Sequence, residues 1–171
     1  MKYLFLLMII PLLSNCSKKT IHSMTENDIK NVGFTPDNGS SKYELLKNKS
    51  IEQKTDEFGR TYYELQDSMT KNVVVYVFNK NETKGVQDGG YREEIVMELD
   101  RNPTDIDLED NDLQQSKMLF GRFCYCKGQT GYYKIEKGNL EIISNGNQKM
   151  VSLDFEITEV PQIIKNIQFS F

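Results

Sequence analysis

Two cysteines one residue apart, Cys124 and Cys126, are the sharpest chemical feature of this 171-residue chain. In a strand, residues i and i+2 share a face, so the two sulfurs lie on one side. An extended backbone sets their Cα atoms ~6.5–7 Å apart, at the outer limit for a bridge, so a disulfide here requires a bulge or bend. Closing so small a ring removes little chain entropy, ~1.5 kcal/mol when the loop formula is extrapolated. The pair is a structural disulfide, two buried thiols, or an easily reduced bridge whose thiol pKa Lys127 lowers. Soft-metal binding has thinner support, because no histidine joins the pair and Met118 is the only other sulfur nearby.

A second grouping is acidic. Asp105, Asp107, Glu109, Asp110 and Asp112 crowd one connection, and alternating oxygen ligands suit Ca²⁺. The run fails the EF-hand template: counted from Asp105, the position that must be Gly is Asp110, and no helix follows. A solvated acidic loop is the competing reading, leaving Asp105, Asp107, Glu109 and Asp112 as a calcium candidate. No cofactor is expected.

The third grouping is aromatic: Phe120, Phe123, Tyr125, Tyr132 and Tyr133, with Tyr62 and Tyr63 earlier. A tyrosine offers an apolar body and a polar tip, which serves a sugar ring or a protein interface. Tyr132 and Tyr133 are the leading ligand-binding candidates, with Tyr125, because adjacent strand residues point to opposite faces and one of the pair should face outward. Cross-strand core packing accounts for these rings equally well. The single histidine, His22, lies outside the strand-rich part of the chain, so no Ser-His-Asp triad, Cys-His pair or HExxH zinc site can be assembled there. Carboxylate-based glycoside hydrolysis needs no histidine, but no Asp or Glu pair stands out from the sequence.

These residues sit on elements of period two. Residues 51–55 and 60–66 flank Asp56-Glu57-Phe58-Gly59, a hairpin loop. Residues 73–78 are continuously apolar and β-branched or aromatic, the pattern of a central strand covered on both faces. In residues 91–99, Ile95, Met97 and Leu99 alternate with Glu94, Val96 and Glu98. Strands are also expected over residues 118–126, 132–136 and 139–144. Asn145-Gly146 then marks a tight hairpin into a strand whose Val151, Leu153, Phe155 and Ile157 share one face. A last strand closes the chain over residues 167–171. Eight or nine short strands with turn signals at close spacing predict an all-β fold, an antiparallel β-sandwich or a small closed barrel. One short N-terminal helix is expected at residues 26–32, where Thr25 and Asp28 fit a capping box and Gly33 a stop.

The first fifteen residues have a single positive charge at Lys2, an apolar core over residues 4–13 broken only by Pro11, and Ser14-Asn15 before Cys16. These are the three regions of a secretory signal, with a core too short to span a bilayer. Leu13-Ser14-Asn15-Cys16 resembles the lipobox of bacterial lipoproteins. That resemblance covers about sixteen residues and implies cleavage of residues 1–15 and acylation of Cys16, with attachment to a membrane through the acyl chains. Several chains hold far more firmly than one, at about 0.8 kcal/mol per buried CH₂. By the same resemblance, Ser17 after the cysteine favours the outer membrane, and the absence of an acidic run there argues for a domain facing the periplasm.

Removing residues 1–15 takes away only Lys2 among the charges. The remaining 156 residues carry 20 basic and 25 acidic side chains, a formal net charge of −5. This is enough chain for one domain, and its acidity argues against a nucleic-acid partner. The expected organisation is an anchor and polar tether over residues 16–42 and a single β-rich domain over residues 43–171. The expected role is a non-enzymatic binding or interaction module for an unidentified protein or glycan. An envelope enzyme, either a carboxylate-dependent hydrolase or a Cys124/Cys126 thiol oxidoreductase, is the alternative.

Overall fold

The structure is a computed structural model in which residues 35–81, 85, 89–146 and 148–171 are described. Cys16 and the short helix expected at residues 26–32 lie outside the described residues. Nine strands follow in order: β1 (Gly39–Thr55), β2 (Thr61–Lys80), β3 (Tyr91–Asp100), β4 (Ile106–Glu109), β5 (Leu119–Cys124), β6 (Gly131–Lys134), β7 (Gly138–Asn145), β8 (Gln148–Phe155) and β9 (Asn166–Ser170). All neighbouring strands are antiparallel.

The strands form two sheets, one ordered β1-β2-β3-β5-β6 and one ordered β4-β7-β8-β9. The fold is all-β, as the periodicity predicts, and combines both expected architectures. The sheets face each other across one core, and the larger sheet closes on itself where Thr61 of β2 pairs with Tyr132 of β6. The hairpin signals act as expected: Asp56 Oδ1 accepts from the Phe58 and Arg60 N–H groups, and Gly146 turns β7 into β8 with φ 60°.

The core is filled from both sheets in the alternating pattern of strands with a covered face. Val74, Tyr76 and Phe78 of β2, Ile95, Met97 and Leu99 of β3 and Phe120 of β5 meet Leu140 and Ile142 of β7, Val151, Leu153 and Phe155 of β8, and Ile167 and Phe169 of β9. Each such side chain contributes ~1.5–3 kcal/mol on burial. The acidic connection is not a bare loop. It contains a 3₁₀ helix, Asp110–Ser116, because Leu113 inserts into the core and ties an otherwise solvated stretch down.

Two boundaries differ from the sequence reading. The first strand starts at Gly39, inside the stretch read as tether, since an edge strand recruited by Lys80 and Asn79 needs no apolar period of its own. The strands expected at residues 60–66 and 73–78 are one continuous β2. Its polar middle extends past β3, where no core demands apolar residues.

The middle of β2 is also where the first hairpin bends. Pairing shifts register after Lys47, so that Asn48 alone faces residues 68–71. Asn48 takes a left-handed φ of 58°, which asparagine tolerates better than most residues, and its N–H donates to Asn72 Oδ1 at 3.0 Å. On the other strand Ser68 Oγ accepts from the Thr70 and Lys71 N–H groups. Beyond this bend the hairpin folds back over the outer face of β2 and β3, covering a second, smaller core of Ile51, Val73 and Val96.

Candidate functional site

Strand β3 carries three buried carboxylates that alternation alone would place partly in solvent. Glu93 is fully buried on the main-core side. Its Oε1 accepts from the Ile163 N–H at 2.6 Å and from the Tyr91 hydroxyl, and its Oε2 from the Ile164 N–H at 2.7 Å. Arg122 braces this group by donating to the Tyr91 hydroxyl and to Gln129. Glu98, on the opposite face, accepts at Oε2 from the Ile51 N–H at 2.7 Å and Lys117 Nζ at 2.9 Å, which pins the folded-over hairpin down.

Glu94 shares the face of Glu98. Its Oε1 accepts from the hydroxyls of Tyr63 at 3.2 Å and Tyr132 at 2.9 Å, and its Oε2 lies 3.7 Å from Arg92 Nη2. The rings of Tyr63 and Phe123 meet Tyr132 edge-on at 5.2 and 5.3 Å, and the Arg92 guanidinium lies 4.3 Å over Phe123. Burial, reinforced by the Glu94 charge, pushes the Tyr63 phenol up to about 12 and raises Tyr132 as well. Both phenols therefore stay protonated at neutral pH and act as donors to the carboxylate.

The sign of the resulting pH dependence follows directly. The unfolded chain ionises Tyr63 near 10 and the folded chain holds it to about 12, so the contribution is complete below pH 10 and disappears between pH 10 and 12. We expect the melting temperature to fall across that window. In the Tyr63→Phe variant, melts over the same window should fall less steeply.

The residues singled out by type and spacing are dispersed. Cys124 and Cys126 are disulfide-bonded, with Cα atoms 5.2 Å apart, because the chain leaves β5 at Cys124 and turns; an extended strand would hold them too far apart. The bridge lies at the start of the β5–β6 connection and leaves Tyr125 at its tip, 88% exposed, while Thr130 Oγ1 closes the connection by bonding the backbone of Cys124. Neither Tyr132 nor Tyr133 faces outward as that pairing argument expected. Both sides of β6 are covered, so Tyr132 packs on the smaller core and Tyr133 on the larger.

Four of the acidic residues accept hydrogen bonds that tie this connection together and to its surroundings. Asp105 Oδ1 accepts from the N–H and hydroxyl of Ser144, which holds its carboxyl below the usual range, and Asp107 accepts from Asn139 Nδ2. Asp112 accepts from Gln115 Nε2, and Asp110 from the Gly138 N–H. Asp107 and Glu109 lie on β4, the edge strand of the smaller sheet, and Asp105 immediately precedes it. Among the described residues no three His, Cys, Asp or Glu side chains gather as a metal site.

The concave site lies elsewhere, at the end of the sandwich formed by the bend. A cleft of about 570 Å³ opens there, with apolar surface from Leu45, Pro103 and Phe171 and cationic walls from Lys47, Arg101 and Lys149. Asn48, Asn72 and Asn102 add amides. A smaller hollow of about 360 Å³ shares Asn48 and Arg101 with it and is rimmed by Met69, which is 86% exposed.

Local structure fixes these groups. Lys149 and Phe171 exchange backbone hydrogen bonds of 2.8 and 3.0 Å, and the Arg101 N–H donates to the Thr70 carbonyl at 2.8 Å. Asn72 is 5% exposed, and with its Oδ1 held by Asn48 its remaining polar atom is the Nδ2 amino group. No sequence signal marked this cleft, because its walls come from segments far apart in the chain. No protein-family model, curated protein or solved structure matches the chain.

Proposed function

We propose that this protein is a binding module of the bacterial envelope, held by acyl chains on Cys16 at the periplasmic side of the outer membrane, with the cleft as its ligand site. The observation that supports this reading is the placement of the cleft. The chain arrives from Cys16 at Gly39, and Gly39, Lys80, Tyr91 and Cys124 lie at one end of the larger sheet. Lys47 and Arg101 lie at the other end, eight residues or ~27 Å along β1 from Gly39. A domain tethered at one end presents its concave end away from the bilayer.

The enzyme readings have less behind them. The buried carboxylates of β3 each have protein donors on their oxygens, and Cys124 and Cys126 already bond to each other.

Two measurements test the proposal. The wild-type chain should incorporate labelled fatty acid and sediment with membranes, and the Cys16→Ala variant should do neither. Envelope components retained on the immobilised mature chain should be lost when Arg101 and Lys149 are both replaced by Glu. Retention unchanged by that pair of substitutions would remove the cleft from the function.

A further inference from the structure

The cleft combines a surplus of hydrogen-bond donors with an apolar surface, and we infer that it takes the acidic sugar unit of a carboxylate-bearing glycan. This inference rests on the reading of the cleft as the ligand site. Its polar side chains divide unevenly. Lys47 and Arg101 are donors only with no carboxylate within 4.0 Å among the described residues, and Lys149 reaches a carboxylate only through Ser144, to whose Oγ it donates while that hydroxyl donates to Asp105; Lys49, Lys54, Lys71 and Lys117 are paired with carboxylates directly. The lining side chains are therefore net positive, in a chain whose overall balance is negative.

Asn72 points the same way. Its Oδ1 is occupied by the Asn48 N–H, and its Nδ2 has no protein acceptor among the described residues. That amino group opens into the cleft, where it donates to water in the free protein and to an acceptor on a ligand when one is bound. The planar guanidinium of Arg101 matches a carboxylate through two parallel hydrogen bonds.

The apolar part of the lining selects the body that carries the charge. A free phosphate or carboxylate makes no use of Leu45, Pro103 and Phe171. The C–H face of a pyranose does, since it packs on an aromatic ring while its hydroxyls reach outward. Phe171 is held for such contact by stacking on Phe169, with centroids 6.2 Å apart. A volume of about 570 Å³ falls within the range of small-ligand sites and has room for more than one sugar ring. A lipid headgroup shares the charge but is disfavoured by position, because the cleft opens at the end opposite the chain entry at Gly39.

Calorimetric titration of the mature protein with oligogalacturonate tests the inference, with the methyl-esterified oligomer as a neutral body of the same shape. The acid should bind about tenfold more tightly than the ester, and Arg101→Gln and Asn72→Asp should each weaken it by about tenfold. Lys54→Gln, remote from the cleft, should leave binding unchanged, and thermal melts of each variant confirm the fold. Equal binding of acid and ester overturns the acidic class while leaving the cleft as a ligand site. No binding of either oligomer overturns the inference, and the retention experiment on envelope components then decides separately whether the binding-module reading survives. Displacement of the oligomer by millimolar inorganic phosphate would mean an unselective anion site and would also overturn it.

Discussion

Replacing Glu93 by alanine is expected to destabilise the protein by about 4 kcal/mol. The carboxylate is fully buried and accepts from two consecutive backbone N–H groups, Ile163 and Ile164, and from the Tyr91 hydroxyl. Truncation removes the acceptor of two buried N–H groups and leaves Arg122, only 7% exposed, without the charge it faces through Tyr91. The segment it holds, between β8 and β9, contributes Val160 and Ile164 to the core, so the damage extends into packing. Glu93→Gln should recover little, because one of its two terminal atoms becomes an NH₂ facing an N–H. Urea unfolding of the two variants measures the effect. A loss below about 1 kcal/mol for Glu93→Ala would show that the segment is held by its apolar contacts alone.

The second large effect is steric. Gly138 opens β7 with φ 139°, and a Cβ placed there would overlap the Asp154 carbonyl oxygen and the Phe155 Cα of β8. Because both obstacles are backbone, neither can swing aside as a side chain would. Gly138→Ala should therefore cost about 3 kcal/mol, of which about 1–2 kcal/mol is the positive φ. Gly128→Ala is the internal control. It also has a positive φ, 75°, but its Cβ would meet nothing within 4 Å, so only the conformational part of the cost remains. If the two variants melt together, the contact with β8 relaxes and the proposed overlap carries no weight.

The legible part of the fold is the part governed by local rules. Period-two alternation placed strands in both sheets, because a side chain in a sheet has only two faces to choose between, but it missed β4, whose four residues in the acidic connection are too few to show a period. Turn chemistry at Asp56 and at Asn145-Gly146 fixed the hairpins, since asparagine, aspartate and glycine satisfy or tolerate the required backbone without help from elsewhere. The same alternation misled at Glu94 and Glu98. An apolar-polar pattern reads alike whether the polar face meets water or a second layer that supplies donors, and here the layer is the hairpin carrying Ile51 and Tyr63.

The bend that brings that layer over depends on Asn48 opposing residues 68–71, a pairing between positions some twenty residues apart that no local pattern announces. Tyr132 follows from the same omission: its neighbour Tyr133 meets the main core, and only the folded-over hairpin covers its own side. The cleft was illegible for a further reason. Leu45, Asn72, Arg101, Lys149 and Phe171 converge only after both sheets are assembled, and none of them looks unusual where it stands in the chain.

The bend at Asn48 also ties two equilibria together. Asn48 and Asn72 form the joint by which the hairpin folds over the sheet, and both belong to the cleft wall. A ligand that grips the Asn72 amino group meets it in the right orientation only while the joint is made. Occupancy of the cleft and closure of the hairpin over Ile51, Val73 and Val96 must then favour each other by the same factor. Among the described residues that core has three buried side chains against twenty in the main one, so an occupied cleft would act as a further fastener beside the Glu98 bonds.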